Sequence, residues 1–186
     1  MAAESYFEKS DLQPRPTLQW ALQYFNKYPP KEKKAIDLGC GNGRDTYALI
    51  QEGWKVWAFD HSARAIEQLQ PHANLKAGCS TFAAVDWQDV ALINASYALP
   101  FCEARQFPEV WTNIEKSLGQ AGIFSGHFFG ENDGWKQLIR FSGEDIKHLF
   151  SDFEMLFIEE NEFDRVTVSG QPKHWHVFEI VAKKIS

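Results

Sequence analysis

The sequence predicts an α/β three-layer sandwich: a mostly parallel seven-stranded sheet with helices on both faces and an antiparallel last strand. Three observations predict it. Short apolar runs alternate with helical periodicities from Lys34 onward, the pattern of strands joined by crossover helices. The run Asp89–Asn94 is unbroken by polar residues in its interior, as suits a strand covered on both faces. The last two strand-like segments are separated by a polar stretch with Gly170 and Pro172, which suits a hairpin and not a helical crossover.

Each element has its own signal. Pro16-Thr17 opens a helix, Leu18, Ala21, Leu22 and Phe25 recur on one face of it, and Pro29-Pro30 stops it. Lys34–Leu38 is a strand entering the tight turn Gly39-Cys40-Gly41-Asn42-Gly43. A helix from Arg44 to Glu52 follows, with Gly53 as its left-handed stop. Trp54 to Phe59 is a strand closing on Asp60, and Ser62 caps the next helix, with Ile66 and Leu69 on its apolar face and Pro71 beyond its end. Strands at Asn74–Ala77 and Asp89–Asn94 precede a helix marked by Phe107, Val110, Trp111, Ile114 and Leu118. Gly119–Gly122 reads as a turn before a strand from Ile123 to Phe129. Ser142-Gly143-Glu144-Asp145 resembles a capping box for a helix with Ile146, Leu149 and Phe150. Strands at Phe153–Phe163 and His174–Ala182 close the chain.

A chain of 186 residues has room for one domain, read as an N-terminal extension or lid helix at 1–30 and a ligand-binding domain at 31–186. Its 44% hydrophobic content supports a packed core. The net charge of −6 repels polyanions, so neither nucleic acid nor a membrane surface is an expected partner. The basic cluster Lys31–Lys34 is a solvated turn or, less simply, an anion site. Cys40, Cys79 and Cys102 are odd in number and widely spaced, which suggests neither a disulfide framework nor a metal site and fits a reducing compartment. With no leader-like start and no long apolar run, a cytoplasmic location is expected.

The chemistry gathers at the Gly turn, where open sheets of this kind bind ligands. Gly39, Gly41 and Gly43 allow positive φ and close approach of a ligand, and the amides opening the next helix are donors. A dinucleotide fingerprint G-x-G-x-x-G would need a third glycine where Arg44 stands, and no Lys-Ser or Lys-Thr pair completes a phosphate loop. Asp60 lies about 20 residues beyond Gly39, where a carboxylate accepts from both hydroxyls of a ribose. The bland alternative for Asp60 is a strand-end residue or helix cap.

These two segments, Ala35-Ile36-Asp37-Leu38-Gly39-Cys40-Gly41-Asn42-Gly43-Arg44-Asp45 and Val56-Trp57-Ala58-Phe59-Asp60-His61-Ser62, resemble the class I S-adenosylmethionine-dependent methyltransferases. Among these the chain looks most like the small tellurite-resistance-type and thiopurine-type small-molecule enzymes. The resemblance runs from about Lys33 to the end. It implies a Rossmann-like sheet whose final antiparallel pair distinguishes it from a dehydrogenase's, and S-adenosyl-L-methionine as cofactor. It implies that Asp37 holds the turn and contacts the methionine end, which the backbone from Gly39 through Cys40 and Gly41 to Gly43 lines. Arg44 approaches the cofactor carboxylate or pairs with an acid. Asp60 binds the ribose and His61 flanks the adenine. The region after the third strand, Cys79-Ser80-Thr81-Phe82, lacks the acid many members place there. Thr81 and Phe82 are the candidate adenine contacts and Asp86 an alternative acid. Asn94-Ala95-Ser96-Tyr97 would border the methyl-transfer channel, with Asn94 and Tyr97 as contacts. It is not the Asn-Pro-Pro-Tyr associated with methylation of nucleic-acid amines.

The reaction implied is displacement of a methyl group from a sulfonium, for which the protein supplies alignment and a desolvated channel. A thiol or other chalcogen nucleophile needs little help from a base. For an oxygen or nitrogen acceptor the candidate bases are His127, His174 and His176, whose alternative role is packing. Tyr6, Phe7 and Arg15 are candidate lid residues, or ordinary helix packing. Phe101, Phe128, Phe129 and Trp135 are candidate walls of a substrate pocket, or core. The function expected is methyl transfer to a small-molecule acceptor. A non-catalytic module that binds the cofactor is the alternative, and a nicotinamide oxidoreductase the more remote one, disfavoured by the missing third glycine.

Overall fold

The computed structural model describes residues 13–167 and 169–185. Seven strands run β1 Lys34–Leu38, β2 Lys55–Asp60, β3 Leu75–Cys79, β4 Val90–Ala95, β5 Leu118–Phe129, β6 Phe153–Val166 and β7 Pro172–Lys184. They form one sheet in the order β3-β2-β1-β4-β5-β7-β6. β1 pairs in parallel with both β2 and β4, so strand order reverses between β1 and β4, at the Gly turn. β7 alone runs against its neighbours, pairing antiparallel with β5 and β6. The α/β sandwich with an antiparallel last strand is as the sequence predicts.

Among the described residues five α-helices cover the sheet: α1 Pro16–Lys27, α2 Arg44–Gln51, α3 Ala63–Gln68, α4 Phe107–Ser117 and α5 Gly143–Leu149. Alternation along the strands decides which face each residue serves. Ala35, Val56, Ala58, Leu92, Ile123 and Val181 face a core completed by α1 and α2. Ile36, Trp57, Ile93, Phe124, Phe128 and Ile180 face the core of α4 and α5. α1 buries Leu18, Ala21, Leu22 and Phe25, so the described part of the N-terminal extension is an integral layer of the sandwich.

Local signals account for the element ends. Gly53 has φ +82°; its amide donates to Ile50 O, and Trp54 N donates to Leu49 O. This pair of bonds satisfies the last carbonyls of α2. Ser62 Oγ accepts from Ala65 N at the start of α3, and Ser142 and Asp145 form a reciprocal capping box on α5. One expectation is corrected. Leu118 pairs with Val90 while Ile123 pairs with Leu92, so Gly119–Gly122 is an insertion within β5 and not a turn before it. Ala121, at φ +60°, takes the left-handed conformation there. Both strands of the last hairpin also run longer than expected, because the ladder continues past Phe163↔Trp175 through the polar pairs Asp164↔His174 and Arg165↔Lys173 to Val166↔Pro172, and reaches Lys184 at its other end.

Candidate active site

The turn after β1 is held by the end of β2. Gly39 N and Cys40 N both donate to Phe59 O at 2.8 and 3.0 Å, and Gly43 N donates to Cys40 O at 2.9 Å. Gly41 N donates to Asp60 Oδ2 at 2.9 Å. Gly39 has φ +69°, and a Cβ there would stand 2.6 Å from Ala98 Cβ, so only glycine fits between the turn and the segment after β4.

Beneath the turn lies a buried polar network. Asp37 Oδ2 accepts from Thr46 Oγ1 at 2.5 Å and Asp37 Oδ1 from Asn94 Nδ2 at 2.8 Å. The same Asn94 amide donates to Asp45 Oδ2 at 3.1 Å, and Asn94 Oδ1 accepts from Ser125 Oγ at 2.8 Å. Asp45 Oδ1 in turn accepts from Arg15 N at 2.9 Å. Burial, reinforced by the nearby Asp45 carboxylate, pushes the Asp37 carboxyl up to about 7. Two expected contacts are thereby relocated. Asp37 is buried and ties the first turn of α2 to β4, while Phe59 O and Asp60 hold the turn itself. Asn94 is wholly buried and spends its amide on this network.

Above the turn a cleft of about 430 Å³ opens at the carboxyl ends of β1, β2 and β4. Gly39, Phe59, Asp60 and His61 form one side; Ser80, Thr81, Phe82 and Val85 follow β3; Tyr97, Ala98, Phe101, Cys102, Glu103 and Gln106 follow β4. Asp60 presents its carboxylate at the bottom, with Oδ1 accepting from Ser62 N at 2.9 Å. His61 is exposed, with Nδ1 3.4 Å from Asp60 Oδ1. The structure thus brings together Gly39, Asp60, His61, Thr81, Phe82, Tyr97 and Phe101.

The other residues singled out by sequence do not border this cleft. Cys40 is buried, its thiol pushed up by burial and by the charges of Asp37 and Asp60. Gly41 and Gly43 shape the turn, and the half-buried Arg44 opens α2. Asp86 is exposed outside the cleft. Phe128 is a correction: it is fully buried and packs on Trp111, Phe141 and Phe150. Its neighbour Phe129 points the other way, toward Tyr97, Phe101 and Trp135, as period-two alternation requires. Tyr6 and Phe7 lie outside the described residues. Sequence reasoning missed Val85, Cys102, Glu103 and Gln106; the signal available was position, since each follows the C-terminal end of a sheet strand.

The acceptor side is aromatic. Tyr97, at φ +53°, stacks on His127 with ring centroids 3.9 Å apart, and the Arg15 guanidinium lies 4.9 Å from the Tyr97 centroid. Burial, aided by the Arg15 charge, pushes His127 down to about 3; its Nδ1 has no partner among the described residues. A neutral imidazole this weakly basic does not take a proton at neutral pH. His174 and His176 sit elsewhere, on carboxylates of β6: His174 Nδ1 is 2.9 Å from Asp164 Oδ1 and His176 Nε2 is 2.8 Å from Glu160 Oε1. A second, shallower depression of about 540 Å³ lies by α4 and α5, lined by Trp111, Arg140 and His148 among others, and shares no lining residue with the cleft. Among the described residues no helix is long and apolar enough to cross a membrane.

Residues 35–122 match the family model of a methyltransferase domain. No curated protein sequence matches the chain significantly. Among solved structures, TehB from Haemophilus influenzae is similar with a TM-score of 0.71 and 17% identity, over 88% of this chain and 60% of its own. The chain thus spans less than two thirds of that protein's length. The 1,6-didemethyltoxoflavin N1-methyltransferase of Burkholderia thailandensis, solved with 1,6-didemethyltoxoflavin and S-adenosylhomocysteine, is similar with a TM-score of 0.63 and 16% identity, over 99% of this chain and 85% of its own. The magnesium protoporphyrin IX methyltransferase of Synechocystis PCC 6803, solved with bound SAM, is similar with a TM-score of 0.64 and 11% identity, over 90% of this chain and 78% of its own. At such identities the likeness is one of fold.

Proposed function

We propose that the protein is a class I S-adenosylmethionine-dependent methyltransferase that transfers a methyl group to a small-molecule acceptor, a reading supported by the match of residues 35–122 to the model of a methyltransferase domain and by the fold. The observation that carries this reading is the meeting of Gly39 and Asp60 in one cleft at the point where strand order reverses.

The cofactor is S-adenosyl-L-methionine, which when bound supplies a methyl group activated by a sulfonium. The residues present fit it. Each Asp60 oxygen accepts one backbone hydrogen bond and so keeps a lone pair for a ribose hydroxyl. The bare Gly39 leaves backbone accessible for the amino-acid tail, and Thr81 and Phe82 form a polar and apolar wall for the base. Tyr97, Phe101 and Cys102 close the remaining side, exclude water and orient the acceptor. Cys40, Gly41, Gly43, Arg44, Asp37 and Asn94 act from behind, by shaping the turn.

His127 stays neutral and is too weakly basic to take a proton from an acceptor near pH 7, and His174 and His176 are paired with β6 carboxylates away from the cleft. This supports an acceptor that ionises by itself: a thiol, hydrosulfide or other chalcogen anion. The net charge of −6 disfavours a nucleic-acid acceptor. The three free cysteines support a reducing, cytoplasmic setting. We assign residues 31–186 as the cofactor-binding domain, with Arg15 at the start of the described part of the extension reaching over Tyr97.

The test incubates the protein and S-adenosylmethionine with hydrosulfide, selenide, small thiols, amines and carboxylates, and measures S-adenosylhomocysteine by mass spectrometry. Release above background with the chalcogen acceptors is expected. Binding of the cofactor with turnover of no acceptor would favour the second reading, a non-catalytic S-adenosylmethionine-binding module, which the weak basicity of His127 also suits.

A further inference from the structure

The acceptor side of the cleft is backed by a cation enclosed in rings. Lys173 Nζ lies 3.3, 4.2 and 4.4 Å from the centroids of Trp175, Trp135 and Phe129. It is 2.7 Å from Asp133 Oδ2, with the two side chains 2% and 0% exposed. Asp133 is fully engaged: Oδ1 accepts from Trp135 N at 2.9 Å and Oδ2 also accepts from His176 N at 3.2 Å. A buried ion pair rarely outdoes apolar side chains of the same volume in stability, because both charges must be desolvated; its better-attested use is to fix one arrangement over others.

The arrangement fixed here is that of the segment joining β5 to α5. Each ring of the cage also touches a ring that lines the cleft: Phe129 and Trp135 lie 6.2 and 5.7 Å from Phe101, and Trp175 lies 6.1 Å from Tyr97. The same segment donates from Ile139 N to Pro100 O at 3.1 Å, next to Phe101. We propose that Lys173 is a positioning residue whose ammonium, gripped by Asp133 and the three rings, pins residues 130–141 to β7 and thereby sets the aromatic wall that receives the methyl acceptor.

Only the identity of that wall rests on the methyltransferase reading; the pin is a property of this cage. Asp133 reads the ammonium by charge and the rings read it through their negative faces, so a neutral chain of equal length does not substitute for it.

Hydrogen exchange on the full chain tests this, comparing wild type with Lys173→Met and Lys173→Ala. Met keeps most of the volume and removes the charge, so amide exchange in 130–141 should rise about tenfold, with a smaller rise in 97–102. In Lys173→Ala, propylammonium but not propanol should restore protection. Wild-type protection in Lys173→Met, rescue by propanol as good as by propylammonium, or loosening of 130–141 with no change in 97–102 would each overturn the proposal. Should Lys173→Ala not fold, the Met variant alone decides it. S-adenosylhomocysteine affinity, measured in parallel, should stay within about threefold of wild type, since no cage residue lines the cleft. If wild type failed to bind S-adenosylhomocysteine, the methyltransferase reading would fall while the exchange result still judged the pin.

Discussion

The amide of Gly41 donates to Asp60 Oδ2 at 2.9 Å, so the carboxylate assigned to the ribose also braces the turn assigned to the amino-acid tail. The two halves of the proposed cofactor site are therefore mechanically one. A change at Asp60 reaches the turn, and a distortion of the turn reaches Asp60.

Glycine is needed unequally within the turn. A Cβ at Gly39 would sit 2.6 Å from Ala98 Cβ, whereas one at Gly41 would meet nothing within 4 Å. Both residues have positive φ, which costs an alanine about 1–2 kcal/mol; the clash at 39 adds about 1–3 kcal/mol. Gly39→Ala should lower stability by roughly 2–5 kcal/mol and Gly41→Ala by roughly 1–2 kcal/mol, as read from urea unfolding. Equal losses would show that Ala98 yields freely.

Two buried groups give stability opposite pH slopes. Asp37 is raised from its ordinary 3.8 to about 7, so the folded chain binds the extra proton and stability falls as pH rises through that window. His127 is lowered from 6.5 to about 3, so the unfolded chain binds the extra proton and stability falls as pH drops from 6.5 toward 3. Between pH 4 and 6.5 the two oppose each other. Asp37→Asn should therefore show a Tm that climbs more steeply with pH over that interval than wild type, and His127→Phe one that declines. Scanning calorimetry at several pH values measures both; parallel profiles in all three proteins would contradict the assigned shifts.

The cap of α5 gives a control away from the cleft. Ser142 Oγ accepts from Asp145 N at 3.1 Å and Ser142 N donates to Asp145 Oδ2 at 2.8 Å. Ser142→Ala should cost about 1 kcal/mol of stability and leave cofactor affinity unchanged by titration calorimetry. A parallel loss of affinity would mean that α5 communicates with the cleft.

The chain exposed its fold through local chemistry and hid what depends on facing. β1, the turn and β2 were legible because glycines, an apolar run and Asp60 fall within one strand-helix-strand unit. The inserted residues 119–122 looked like a turn because Gly119 and Gly122 carry the same signal in a bulge as in a loop. Phe128 and Phe129 were indistinguishable by composition; one-residue parity sends the first into the core and the second to the cleft side. Asp37 and Asn94 stand 57 positions apart, so their hydrogen bond follows only from the pairing of β1 with β4. The cage around Lys173 likewise needs the 130–141 segment laid against β7, which no local pattern announces.

The role of Asp60 in holding the cofactor is tested most directly by titration calorimetry of S-adenosylhomocysteine into wild type and Asp60→Ala. One saturable site is expected in wild type and a loss of about 10–100-fold in the variant, from the charge-assisted hydrogen bonds to the ribose hydroxyls, with both proteins folded by circular dichroism. Equal affinity in the two proteins, or no heat of binding to folded wild type, would contradict that role.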